Sequence, residues 1–129
     1  MEVQHATEIL LPRFDRVDME HSLDARGSSV MPGLLSAEQC RSLAELYSRQ
    51  EGYRSRVVMA RHGFGRGEYK YFRYPLPPVL EQLRHALYPQ LVPIANRWNL
   101  QLGLDARYPE KLRAFLDRCH QAGQTRPTP

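Results

Sequence analysis

Only two stretches of this chain read as β-strand, and they follow each other directly. Arg54-Ser55-Arg56-Val57-Val58-Met59-Ala60-Arg61-His62 is short and rich in β-branched residues. After Gly63-Phe64-Gly65-Arg66-Gly67, which suits a turn or open loop, comes Glu68-Tyr69-Lys70-Tyr71-Phe72-Arg73-Tyr74. The pair predicts a hairpin. A period of two places Tyr69, Tyr71 and Arg73 on one face and Lys70, Phe72 and Tyr74 on the other. Two strands alone make a marginal sheet unless helices cover a face. Aromatic residues on both faces therefore imply that something else packs there: a partner, a second copy, or a further part of the same fold.

The flanking segments read as helix. Ser36 followed by Gln39 is a capping-box pattern, and Cys40, Leu43, Leu46 and Tyr47 recur at helical spacing. A helix is expected over 36–51, stopped by Gly52. Pro75-Leu76-Pro77-Pro78 ends the second strand and opens a helix carrying Val79, Leu80, Leu83 and Leu87. Pro89 and Pro93 should break it, giving pieces near 78–88 and 90–101, the second with Ile94, Ala95 and Trp98 as its apolar face. A last helix should open at Pro109, turn Leu112, Phe115, Leu116 and Cys119 inward, and stop at Gly123. Residues 1–30 are dense in charge and read as a flexible N-terminal arm, with Arg26-Gly27-Ser28-Ser29 as a loop. The fold class is then α+β, mainly helical with a two-stranded hairpin, over residues 31–129.

At 129 residues the chain has the length of one domain. Its apolar runs are too short to span a bilayer, and no apolar segment follows Met1, so a cytoplasmic protein without membrane contact is expected. Cys40 and Cys119 supply neither a zinc motif nor a disulfide framework, and both read as half-buried reduced thiols.

Charge is uneven. Residues 1–48 hold 4 basic and 8 acidic side chains, residues 49–74 hold 7 and 2, and residues 75–129 hold 7 and 4. The hairpin segment thus concentrates the positive charge, which can steer nucleic acid, phosphate or a carboxylate. Arg56, Arg61, His62, Arg66, Tyr69, Lys70, Tyr71 and Arg73 mix cations with aromatics, a composition that suits base stacking with phosphate neutralisation. It equally suits a sheet edge where arginines lie over aromatic residues.

Other chemistries fit poorly. None of His5, His21, His62, His85 and His120 has a carboxylate two residues on, as the usual non-haem iron motif requires. His21 has Asp24 and His5 has Glu8 three residues on. The three loop glycines do not open a helix, so they match no dinucleotide fingerprint, and no nucleophile-elbow motif is present.

Longer words carry a resemblance. Residues 54–72, Tyr74-Pro75-Leu76-Pro77, the run from Leu87 to Trp98, and the end from Cys119 to Pro129 resemble a bacterial family of 2-oxoglutarate- and iron(II)-dependent oxygenases. That family is grouped with alkylated-DNA-repair dioxygenases and is also described as proline-hydroxylase-like. The resemblance runs from about residue 30 to the last residue and covers only the family's N-terminal half. It implies the N-terminal part of a double-stranded β-helix, or jelly roll, whose core strands are missing here. About 80–100 further residues would be needed to build them. The iron-binding His-x-Asp, the distal His and the 2-oxoglutarate Arg would all follow Pro129. By resemblance, Fe(II) and 2-oxoglutarate serve the full-length family and neither is expected on this chain, which should be inactive alone. The hairpin would extend the major sheet and line the substrate entrance. Two alternatives stand beside this reading: a basic module that binds nucleic acid or another anion, and an interaction protein that pairs, or self-associates, through its hairpin edge.

Overall fold

A computed structural model describes residues 15–127. The element order is α1 (Arg16–Arg26), α2 (Ala37–Leu46), β1 (Tyr53–Val58), a short 3-10 turn (Met59–His62), β2 (Glu68–Phe72), α3 (Pro78–Gln101) and α4 (Leu112–Gln121). Among the described residues the architecture is α+β: four α-helices and one two-stranded antiparallel sheet.

The capping box forms as its residues dictate. Ser36 Oγ accepts from the Gln39 amide at 3.1 Å, and Gln39 Oε1 accepts from the Ser36 amide at 2.9 Å. The helix nevertheless stops at Leu46, not near 51. Carbonyls at its end and just beyond it accept from side chains of the hairpin. Tyr53 Oη donates to the Leu46 carbonyl at 2.7 Å. The Lys70 ammonium donates to the carbonyls of Tyr47 and Arg49. Gly52, with φ 88°, bends the chain into β1 instead of closing the helix. Only Leu43 and Leu46 of the expected apolar stripe are half-buried. Cys40 is exposed rather than inward, while Cys119 is half-buried.

Helix α1 corrects the reading of residues 16–26 as part of an arm. Asp15 caps its start, accepting from the Asp18 amide at 3.1 Å, and Gly27 closes it at φ 72°. Local signals of this kind do not hold an isolated eleven-residue helix in water. The anchor is distant in sequence. Arg97 Nη2 donates to both oxygens of Asp24 at 2.7 Å, Trp98 Nε1 donates to Oδ1 at 2.8 Å, and Met19 is buried.

Helix α3 runs unbroken through Pro89 and Pro93, where two pieces were expected. Each proline removes one amide donor, leaving the carbonyls of His85 and Pro89 without their helical partners. His85, Pro89 and Pro93 stand four residues apart on one exposed face. The orphaned carbonyls therefore face solvent, where they are least costly. The other faces are packed: Val92 and Ile94 are buried, and Tyr88 stacks on Phe115 of α4 with centroids 5.7 Å apart.

Helix α4 starts at Leu112, three residues after Pro109. Pro109 instead lies in the connection, its carbonyl accepting from Tyr88 Oη. The inward set is as the spacing predicts: Leu112 is buried and Phe115, Leu116 and Cys119 are half-buried. Gly123, at φ 86°, ends the helix, with the Gln124 amide on the Cys119 carbonyl at 2.9 Å. Among the described residues the buried apolar side chains of the core are Met19, Val92, Ile94 and Leu112. No described helix is long and apolar enough to cross a membrane.

Two outcomes are expected. Ile94, only 2% exposed, is the best-packed side chain, so Ile94→Ala should cost about 2–5 kcal/mol in urea denaturation. Asp24 is held below the ordinary carboxylate pKa, first by the Trp98 hydrogen bond and then by Arg97. Its contribution is therefore complete above the unfolded value of about 3.9 and is lost as pH falls through the lower folded value. The stability gap between the native chain and Asp24→Asn should shrink as pH drops from 5 towards 2.

Candidate nucleic-acid interface

β1 and β2 pair in the register Ser55↔Tyr71, Arg56↔Lys70, Val57↔Tyr69 and Val58↔Glu68, with an irregularity between Tyr53 and Ser55. The extra residue there is Arg54. A bulge re-aims side chains, and the Arg54 guanidinium lies over the Tyr71 ring at 4.4 Å from its centroid. Beyond the bulge, Tyr53 pairs with Phe72 and their rings stack at 5.0 Å. The alternation expected from the sequence is present: Tyr69 and Tyr71 meet edge to face at 5.3 Å on one side, while Lys70 and Phe72 meet Tyr53 on the other.

The eight basic and aromatic candidates divide into two groups. In the first, the charges are already satisfied within the chain. Arg56 Nε donates to Glu68 Oε2 at 3.0 Å, and Tyr47 Oη donates to Glu68 Oε1 at 2.7 Å. Lys70 sits over the rings of Tyr47 and Tyr53, at 4.5 and 4.9 Å from their centroids, besides holding the carbonyls at the end of α2. These groups line an open polar cleft between α2 and the hairpin. The two hydrogen bonds and the Arg56 charge hold the Glu68 carboxyl below its ordinary pKa, and the same carboxylate pushes the Tyr47 hydroxyl up. Tyr69 and Tyr71 also meet partners within the chain, and the neighbouring Tyr71 hydroxyl pushes the Tyr69 hydroxyl up.

The second group is free. Arg61, His62, Arg66 and Arg73 are exposed and form no ion pair with a described residue. Three of them flank the hairpin tip; Arg73 follows β2. Phe64, at the tip itself, is 74% exposed and did not figure among the sequence candidates. A lone phenylalanine between two glycines was the available signal.

On the other side of β2 lies an open, mainly apolar groove of about 700 Å³. Residues 69–72 form one wall, and Leu80, Leu83 and Leu87 of α3 are among those forming the other. β2 pairs only with β1 among the described strands, so its outer edge is open along this groove.

An iron centre needs two histidines and a carboxylate converging with positions left open. Among the described residues no three His, Cys, Asp or Glu side chains converge in this way. Asp24, three residues from His21, has both oxygens engaged by Arg97 and Trp98. His85 pairs with Glu81 at 3.0 Å, and His120 meets the Tyr74 ring edge-on at 6.4 Å. The described residues do not fit an iron site. His5 and Glu8 lie outside the described residues.

Comparison with known proteins gives three findings. Residues 67–129 match the model of a family described as an oxygenase catalysing oxidative methylation of damaged DNA. The match covers β2, α3 and α4; β1 and the tip, where Arg56, Arg61, His62 and Arg66 stand, precede it. Two Mycobacterium tuberculosis proteins described as uncharacterized, from strains CDC 1551 / Oshkosh and H37Rv, are each 51% identical over 57 residues. That segment is 44% of this chain and spans only 24% of each relative's length. No solved structure matches the chain.

The Glu68 cluster gives a prediction with a spectroscopic readout. In the native chain the Tyr47 hydroxyl should titrate above the ordinary tyrosine value of about 10. In Glu68→Gln it should return towards that value, followed by NMR of the ring. Unchanged titration would show that the cluster does not hold in solution.

Proposed function

We propose that this chain forms the substrate-facing hairpin and supporting helices of an oxygenase acting on damaged DNA by oxidative hydroxylation or demethylation. The observation that carries this reading is the family match over residues 67–129. It is supported by the free cations beside the hairpin tip, which suit a polyanion. Fe(II) and 2-oxoglutarate are the cofactors proposed for the complete enzyme. In this reading their ligands come from polypeptide outside the chain, since the described residues do not fit an iron site. The short share of each relative's length that the chain matches is consistent with that division of labour. The open groove along β2 is then the surface on which the remainder of the enzyme rests.

Within this reading the basic residues separate by role. Arg56 and Lys70 shape the hairpin and tie it to α2. Arg61, His62, Arg66 and Arg73 meet phosphate.

The test pairs binding with activity. The chain should bind a methylated single-stranded oligonucleotide with an affinity that falls steeply with salt. It should release no oxidised product with Fe(II) and 2-oxoglutarate. Mn(II), in place of Fe(II), with 2-oxoglutarate should leave its melting temperature unchanged. A joint stabilisation by metal and cosubstrate would overturn the assignment of those ligands to residues outside the chain. Absence of any oligonucleotide binding would overturn the DNA-facing role.

A further inference from the structure

The hairpin tip is a small built structure. The Met59 amide donates to the Gly67 carbonyl at 2.8 Å, closing the loop where the strands end. The Gly63 amide reaches the Ala60 carbonyl at 3.3 Å, and the Phe64 amide reaches the Met59 carbonyl at 3.2 Å. Gly63 and Gly65, at φ 72° and 110°, take conformations that L side chains rarely adopt, one on each side of Phe64. The result is a closed turn that leaves an aromatic ring 74% exposed at its end.

The charge around that ring is unbalanced. Arg61, His62 and Arg66 are exposed and unpaired with any described residue, and the nearest acid in sequence, Glu68, is engaged by Arg56 and Tyr47. From Arg61 to Gly67 there is no acidic side chain.

We infer that this tip is a nucleic-acid finger: Phe64 stacks against an unpaired base while Arg61, His62 and Arg66 hold the flanking phosphates. A ring presented with cations on both sides satisfies the two demands of single-stranded recognition, stacking on a base face and neutralisation of the backbone. Because the turn is already closed by backbone hydrogen bonds, little ordering of the loop is required on binding. An anionic membrane is the less suited partner. Gly63, Gly65 and Gly67 add no apolar side chain beside the ring, and interfacial anchoring grows with buried apolar area. The inference rests on the proposed DNA-facing role, and it concerns residues that precede the family match.

The experiment is a fluorescence anisotropy titration of the full chain against a short labelled single-stranded oligonucleotide at several salt concentrations. The same titration is run with phosphatidylserine vesicles. Phe64→Ala should weaken oligonucleotide binding on the order of 10-fold at every salt concentration. Its melting temperature should not change, because the ring is mostly in water. Phe64→Trp should restore binding. Arg61→Ala with Arg66→Ala should instead flatten the salt dependence, by about 0.7 in log–log slope per arginine. An oligonucleotide carrying 2-aminopurine should report stacking with the native chain and lose that signal with Phe64→Ala.

Native affinity in Phe64→Ala, with the double arginine variant still weakened, would overturn the finger and leave the DNA-facing role standing. Failure of the native chain to bind any oligonucleotide would overturn both. Binding to vesicles but not to oligonucleotide would overturn the finger in favour of a membrane contact.

Discussion

The continuity of α3 through Pro89 and Pro93 is the constraint on which the other elements depend. A break at Pro89 would separate the half that faces the hairpin from the half that holds α1. Because the helix continues, Arg84 can meet Tyr74 after β2 at 3.3 Å while Arg97 and Trp98 hold Asp24 of α1. Tyr88, beside the first proline, stacks on Phe115 and hydrogen-bonds the connection into α4. An interior proline costs about 3 kcal/mol in an ordinary helix. Placing both on the solvent face limits that cost to lost amide bonds whose carbonyls remain hydrated, and leaves the packed faces intact.

The hairpin is attached by a different means. It reaches α2 through Lys70, Tyr53 and the Glu68 cluster, all polar or cation–aromatic contacts at partly exposed positions. Such contacts are individually weak in water. Two of them also supply partners for carbonyls at and just beyond the end of α2: Tyr53 for Leu46, and Lys70 for Tyr47 and Arg49. This arrangement gives Arg56 and Lys70 partners within the chain. It leaves Arg61, Arg66 and Arg73 without an ion-pair partner among the described residues, so one charged sequence segment divides into a paired half and an unpaired half.

Much of the local structure was legible along the chain because its causes are local. Ser36 and Gln39 form their capping box, the residues after Glu68 alternate between faces, and Gly123 closes α4. Leu112, Phe115, Leu116 and Cys119 turn inward as their spacing requires. The basic and aromatic character of the hairpin was legible too. Which cations are free was not, since Arg56 differs from Arg61 only in having Glu68 across the strand pair. In the sequence Phe64 reads as an ordinary loop residue; its exposure on a closed turn sets it apart.

Where the reading failed, the cause lies far away in sequence. Helix α1 stands because Arg97 and Trp98 hold Asp24, and the chain leaves α2 at Leu46 where Lys70, from β2, holds the next carbonyls of Tyr47 and Arg49. Helix α3 survives its prolines because its buried side chains outweigh two missing amides that point to water. The sequence by itself determined the element types, the caps and the positive hairpin, through propensity, spacing and charge. Only the tertiary structure decided where helices end, which prolines are tolerated and which charges find partners within the chain, because those outcomes depend on side chains that meet only once the chain has folded.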